Sequence, residues 1–230
     1  MNAAILLSGG KGLRIGADIP KQYISVGGKQ IITYALEVLL CHSKMDCIVI
    51  VADKEWQNMI LQEIENDTKK KIIFVLPGAT RQFSIWNGLE VLKKMDGIEI
   101  VLIHDAARPN LTSQLVSECL NVLKKHEGVM PALPMKDTVY YSVDGCGISD
   151  KLNRNCLFAG QAPEAFWFEE YYRANEKLLP DQLGKITGST EPAILAGMDV
   201  VMITGDEKNY KITTQEDLTR FKTEVEGALE

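Results

Sequence analysis

Short apolar runs recur along the chain at residues 4–7, 47–51, 72–76, 98–103 and 129–133, with Glu99 the one charged residue within them. Each has the length of a strand and is bounded by turn-forming residues. Unbroken apolar strands, without alternation, fit a sheet covered on both faces. Between them lie amphipathic stretches. Trp56, Met59, Ile60 and Ile64 recur at helical spacing, and so do Leu115, Val116, Cys119, Leu120 and Leu123. Strand and helix in alternation predict an α/β fold: a mostly parallel, doubly wound sheet with helices on both faces. A later strand is expected over 200–203. The last helix is expected to start at Thr213-Thr214-Gln215-Glu216, which reads as a capping box. Its Leu218, Phe221 and Val225 are expected to dock on the sheet.

The alternation breaks after Pro134. Residues 138–142 are extended in character, Val143-Asp144-Gly145 supplies a turn, and 148–152 run back. The prediction is one domain over 1–230 carrying a β-arm insertion at 136–153. A lone two-stranded arm is marginal in water, so it is expected to pack on another surface, such as a second subunit.

Composition narrows the partners. The net charge is -6 and the pI about 5.2, which argues against a broad nucleic-acid surface. Any phosphate site must then be a local basic pocket. No apolar run reaches the ~18 residues of a membrane span. The N-terminal segment lacks a basic region and reads as a first strand, so a cytoplasmic protein is expected. The five cysteines show no Cys-x-x-Cys pair, and the expectation is free thiols. The three histidines are scattered, without metal-ligand spacing.

Candidate chemistry sits at the ends of the apolar runs. The first passes into Ser8-Gly9-Gly10-Lys11-Gly12-Leu13-Arg14, followed by Pro20-Lys21-Gln22-Tyr23. Glycines let the backbone turn and present N–H groups to an anion. Arg14 forks onto phosphate oxygens and Lys21 supplies a point charge. The segment lacks the Gly-Lys-Ser/Thr ending of a P-loop, and its glycine spacing departs from the dinucleotide fingerprint. An ordinary strand-to-helix turn is the plain alternative. Further on, Gly78, Arg81 and Ser84 open a helix containing Trp86, Leu89 and Leu92, where an anion is favoured. His104-Asp105-Ala106-Ala107-Arg108 follows a buried strand, where open α/β sheets place ligands. Asp105 suits a divalent metal or a substrate hydroxyl, and Arg108 suits phosphate. An internal Asp105–Arg108 pair is the alternative, and His104 reads as a structural histidine or a base. Lys211 precedes the last helix, and Arg154 follows the arm.

Taken together, blocks 8–23, 78–89, 101–109, 136–138, 154–166 and 209–218 resemble the 2-C-methyl-D-erythritol 4-phosphate cytidylyltransferases and the related ribitol-5-phosphate cytidylyltransferases. The resemblance implies a nucleotidyltransferase Rossmann-like fold, CMP transfer from CTP to a small sugar-alcohol phosphate, Mg²⁺ dependence, and a homodimer joined through the arm. It implies Arg14, Lys21 and Lys211 as catalytic groups. It places Ser8, Gly9, Gly10, Gly12, Gly78, Arg81, Ser84, Asp105 and Ala106 about the CTP. Asp105, Arg108, Thr138, Arg154 and Thr187 fall to the acceptor, some across the dimer, and Asp105 to the metal. Two stretches depart from the family pattern: Ala162-Pro163-Glu164 stands for Thr-Pro-Gln, and Gly188 follows Thr187 in place of Asp. Both lie where the family binds its acceptor. From the overall similarity of the blocks, methylerythritol phosphate, for isoprenoid synthesis, is expected first; the departures keep ribitol or another polyol phosphate, for a surface glycan, second. A nucleotide-binding dimer without turnover is the non-enzymatic alternative.

Overall fold

The computed structural model describes residues 1–10, 16, 19–64 and 69–227. In chain order come β1 (Asn2–Leu7), a 3₁₀ turn (Lys21–Tyr23), β2 (Ser25–Val26), β3 (Lys29–Gln30), α1 (Ile31–Cys41), β4 (Cys47–Val51), α2 (Lys54–Gln62) and β5 (Lys71–Val75). Next are α3 (Arg81–Lys93), β6 (Ile100–Asp105), α4 (Ser113–Val122) and β7 (Gly128–Pro134). The arm strands β8 (Val139–Tyr141) and β9 (Asp150–Leu152) follow. The chain then forms β10 (Phe158–Gly160), β11 (Glu164–Trp167), α5 (Phe168–Glu176), α6 (Glu191–Leu195), β12 (Val200–Thr204) and α7 (Gln215–Glu226).

The five apolar runs are β1, β4, β5, β6 and β7, and they are the framework of the main sheet. Its order is β10-β7-β11-β6-β1-β4-β5, with β12 also paired to β7. The β1, β4, β5 and β6 pairings are parallel, as is β12 with β7. Between β6 and β7 runs β11, antiparallel to both. It is too short, and begins with too polar a residue, to announce itself as a strand. Strand β6 ends later than its apolar run, because Leu7 of β1 pairs with Asp105. The carboxylate is thus the last residue of a strand whose residues are all buried.

Alternate residues serve opposite faces. Ala4 and Leu6 join Ile48, Ile50 and Leu102 beneath α1, α2 and α4. Ala3 and Ile5 join Val49, Val101 and Ile103 beneath α3 and α5. The last helix departs from expectation in two ways. Leu218 and Phe221 pack on Val26, Ile31 and Ile212, a separate cluster at the β2–β3 hairpin, and not on the sheet. The capping box is Thr214 with Asp217, one residue later than the sequence suggested, because Asp217 Oδ2 reaches back to the Thr214 N–H at 2.8 Å.

The arm strands pair in antiparallel register from Val139↔Leu152 to Tyr141↔Asp150. Tyr140, Tyr141, Val143 and Ile148 are all exposed. The five cysteines are free; Cys47 and Cys119 are buried, and Cys41 is exposed.

Candidate active site

The carboxyl ends of β1, β5 and β6 open into one cleft of about 640 Å³, the size of a small-ligand site. Gly9 and Gly10 line it from the end of β1, Gly78 to Arg81 and Ser84 from the turn into α3, and Asp105 from the end of β6. Lys21, Gln22 and Lys211 complete the wall. Two of the glycines are required by close approach. A Cβ on Gly9 would sit 2.3 Å from Pro77 Cβ, and one on Gly78 2.4 Å from Phe83 Cβ. The two loops therefore touch, and bulkier residues would force the cleft open.

Buried polar contacts hold the first loop. The Gln22 side-chain amide donates to Ser8 O at 2.6 Å and Gly10 O at 2.8 Å. Ser8 Oγ donates to Tyr23 Oη at 2.6 Å, and Tyr23 stacks on Trp56 at 4.5 Å. Ser8, placed about the nucleotide by the resemblance, is buried, and its hydroxyl anchors the loop to Tyr23. The motif containing Gln22 was visible in the sequence, but its bracing role was not. Gly12 and Arg14 lie outside the described residues.

At the second loop, Thr80 caps α3 by accepting from Phe83 N at 3.3 Å. Ser84 Oγ accepts from Gly78 N and donates to Thr80 O, both at 3.0 Å. The first turn of α3 therefore faces the cleft, and its N–H groups and dipole favour an anion.

Asp105 organises the cations. Arg81 donates from Nε at 3.2 Å and Nη2 at 3.1 Å to Oδ1. Lys211 Nζ lies 3.0 Å from Oδ2, and Arg108 Nε 3.6 Å from it. Burial alone would raise the Asp105 pKa, but Arg81, Lys211 and Arg108 outweigh it and hold the carboxyl well below the usual range. These contacts weigh against a metal on Asp105, the ligand expected from the sequence. Both oxygens already serve cations, and a divalent ion there would have to displace them. Among the described residues no three His, Cys, Asp or Glu side chains cluster as a metal site.

Arg108 also donates from Nη1 to Asn209 O at 2.7 Å. It pairs internally, as the alternative reading held, and does not line the cleft. Ala106 is fully buried and its side chain packs in the core beneath the cleft-forming strands. His104 is structural: Nε2 donates to Arg108 O at 3.0 Å, and burial lowers its pKa to about 4. A neutral, enclosed imidazole is no base for this cleft.

One of the departures from the family pattern places a carboxylate in the interior. Glu164 is buried, and burial pushes its pKa up to about 7, against the opposing pull of Arg81. It accepts from Ser189 Oγ, and from Thr190 Oγ1 at 3.0 Å. Ser189 Oγ in turn accepts from Arg81 Nη1 at 2.9 Å. Ala162 is buried with its carbonyl bound by Asn209 Nδ2 at 2.6 Å. Thr187 is exposed, and its N–H donates to Glu191 Oε2 at 3.1 Å. Thr138 and Arg154 lie apart from the main cleft. They line a hollow of about 560 Å³ at the arm, with Lys151, Asn153 and Asn155.

A doubly wound sheet whose cleft joins a glycine loop, a helix N-terminus and converging cations is the arrangement of a nucleotide-binding α/β protein. Comparison with known proteins gives the particular branch. The family model for 2-C-methyl-D-erythritol 4-phosphate cytidylyltransferase matches residues 2–226. The enzyme of that name from Clostridium beijerinckii is 34% identical over 219 residues, covering 95% of this chain and 95% of the relative. The bifunctional enzyme IspD/IspF of Maricaulis maris is 33% identical over 227 residues, and the chain spans only 57% of its length. Among solved structures, 4-diphosphocytidyl-2C-methyl-D-erythritol synthase from Anaerococcus prevotii superposes with a TM-score of 0.83 at 29% identity, covering 98% of each chain. The chain belongs to the 2-C-methyl-D-erythritol 4-phosphate cytidylyltransferase family.

Proposed function

We propose that this chain carries out its family's reaction in the cleft at the ends of β1, β5 and β6. CMP passes from CTP to 2-C-methyl-D-erythritol 4-phosphate, in isoprenoid synthesis. The observation that carries this assignment to a place in the fold is the convergence of Arg81, Arg108 and Lys211 on Asp105 beside the glycine loop.

The acceptor's phosphate oxygen attacks the α-phosphorus of CTP. A new P–O bond forms, the bond to the bridging oxygen of the β-phosphate breaks, and pyrophosphate leaves with the electron pair. The nucleophile is already an anion, so no general base is needed. The obstacle is repulsion between two polyanions and the charge building on the leaving group. Lys21 and Lys211 meet that charge, and the first turn of α3 with Arg81 holds the nucleotide. Arg14 acts with them by family resemblance. Divalent-cation dependence enters this reading through the nucleotide, whose phosphates and water supply hard oxygen donors. Asp105 is engaged with cations and is not a fitting ligand, so no step is assigned to a protein-held metal.

The assembly proposed is a homodimer joined through the arm. The exposed Tyr140, Tyr141, Val143 and Ile148 support it. So does the hollow at Thr138 and Arg154, which supplies a phosphate-binding arginine away from the cleft. The cytoplasm is the proposed compartment, where CTP is made and free thiols persist.

The reading is tested with purified protein, CTP, Mg²⁺ and the acceptor, by following pyrophosphate release. Lys21→Ala is expected to lower kcat at least tenfold, about 1.4 kcal/mol of barrier. Wild-type turnover in a folded Lys21→Ala protein would remove Lys21 from the chemistry.

A further inference from the structure

Arg81 is oriented from two sides. Asp105 takes Nε and Nη2 on one oxygen, and Ser189 Oγ takes Nη1. A serine hydroxyl has a single hydrogen to give and lone pairs to offer. Here the hydrogen is given to Glu164 Oε2, so a lone pair is turned to Arg81. Glu164 is in turn fixed by Thr190 Oγ1 on its other oxygen. Ser189 is also held through its backbone. Tyr171, fully buried and stacked on Phe166 at 4.1 Å, donates its hydroxyl to Ser189 O at 2.6 Å.

This chain of contacts has a consequence for the guanidinium. With Nε, Nη1 and Nη2 each holding a protein acceptor, the fork has one plane open to it. Its remaining N–H hydrogens are left for a ligand, and the side chain keeps 30% of its exposure. Without Ser189 and Glu164, Arg81 would pivot about Asp105, and ordering it would be charged against nucleotide binding.

We infer that Ser189 and Glu164 are positioning residues for this reaction: Glu164 fixes the hydroxyl of Ser189 as an acceptor, and Ser189 sets the plane of Arg81 toward the nucleotide. The inference rests on the reading above that Arg81 contacts CTP. Neither residue lines the cleft, and both act through Arg81.

A double-mutant cycle on the full-length enzyme separates the two claims, with kcat/KM for CTP as the readout and calorimetric CTP affinity beside it. Ser189→Ala is expected to lower kcat/KM about tenfold, the scale of a hydrogen bond to a charged group. In an Arg81→Ala background the same change is expected to cost less than about twofold, since nothing is left to orient. Glu164→Leu is expected to match Ser189→Ala, and Glu164→Gln, which keeps an acceptor for the hydroxyl, to recover most of the loss. Equal losses from Ser189→Ala in both backgrounds, or none in the wild type, would overturn the inference. So would a Glu164→Gln variant as impaired as Glu164→Leu in equally folded proteins. If Arg81→Ala itself left CTP binding unchanged, the fault would lie in the assignment of Arg81 to the nucleotide, and the positioning role would fall with it.

Discussion

The cleft and the arm carry the same kind of chemistry under opposite conditions. At the cleft, Arg81 and Lys211 are held on a buried carboxylate before any ligand arrives, and Arg108 pairs with the same carboxylate from outside the lining. On the arm, Arg154 is exposed and donates to Lys136 O at 2.7 Å, beside the equally exposed Thr138. One region has met the cost of ordering its charges during folding, through desolvation offset by Asp105. The other stays wet, where a charge contributes little until something covers it. Preorganised charge suits the reacting phosphates, where reorganisation during the reaction would add to the barrier. An exposed arginine suits a contact completed only on assembly.

The sharpest way to break this contrast is to empty the cleft of its anion. Asp105→Asn leaves Arg81, Arg108 and Lys211 facing one another. The expected result is a fall in kcat/KM of about a hundredfold, ~2.7 kcal/mol, with a lowered melting temperature. Activity within a few-fold of wild type would show that the cations need no organiser. On the arm the expectation is smaller and more selective. Arg154→Ala should raise KM for the acceptor about tenfold, with CTP affinity and melting temperature unchanged. An equal loss of CTP affinity would merge the two regions into one site. Light scattering adds a check, since a monomer at working concentration would remove the arm from the acceptor site.

The smallest effect concerns pH. Glu164 has its pKa raised by burial to about 7, so the folded protein keeps a proton that the unfolded chain releases above the ordinary carboxylate range. Its contribution to stability is complete below about pH 4.5 and is lost as pH rises through 7. His104, lowered to about 4, acts in the opposite sense: its contribution is present above 6.5 and lost as pH falls toward 4. Comparing wild type with Glu164→Gln isolates the first. The wild type should gain on the variant by on the order of 1 kcal/mol between pH 8 and pH 6. A constant difference in melting curves across that range would contradict the burial of this carboxyl.

What the sequence disclosed follows the same division between local and distant causes. The parallel strands were legible because continuous apolar runs leave few alternatives, and the arm because its turn residues are contiguous. Arg81, Asp105 and Lys211 were legible as polar residues at the ends of apolar runs or before helices. Their mutual contact was not, and it engages both oxygens of the carboxylate expected to serve a metal. Glu164 looked like a change in acceptor specificity, because its tie to Arg81 runs through Ser189, 108 residues from that arginine. The mis-set cap of α7 is a local error of one residue. Its docking on Val26 and Ile31 depended on a hairpin, β2–β3, whose two-residue strands give no periodic signal.

The most direct test of the account is pyrophosphate release with CTP and Mg²⁺ across four acceptors: 2-C-methyl-D-erythritol 4-phosphate, ribitol 5-phosphate, xylitol 5-phosphate and glycerol 3-phosphate. The account predicts turnover with the first at a kcat/KM at least about a hundredfold above the others, the discrimination expected when unpaired hydroxyls are left in a polar pocket. Preference for ribitol 5-phosphate or another polyol phosphate, or CTP binding without turnover on any acceptor, would contradict it.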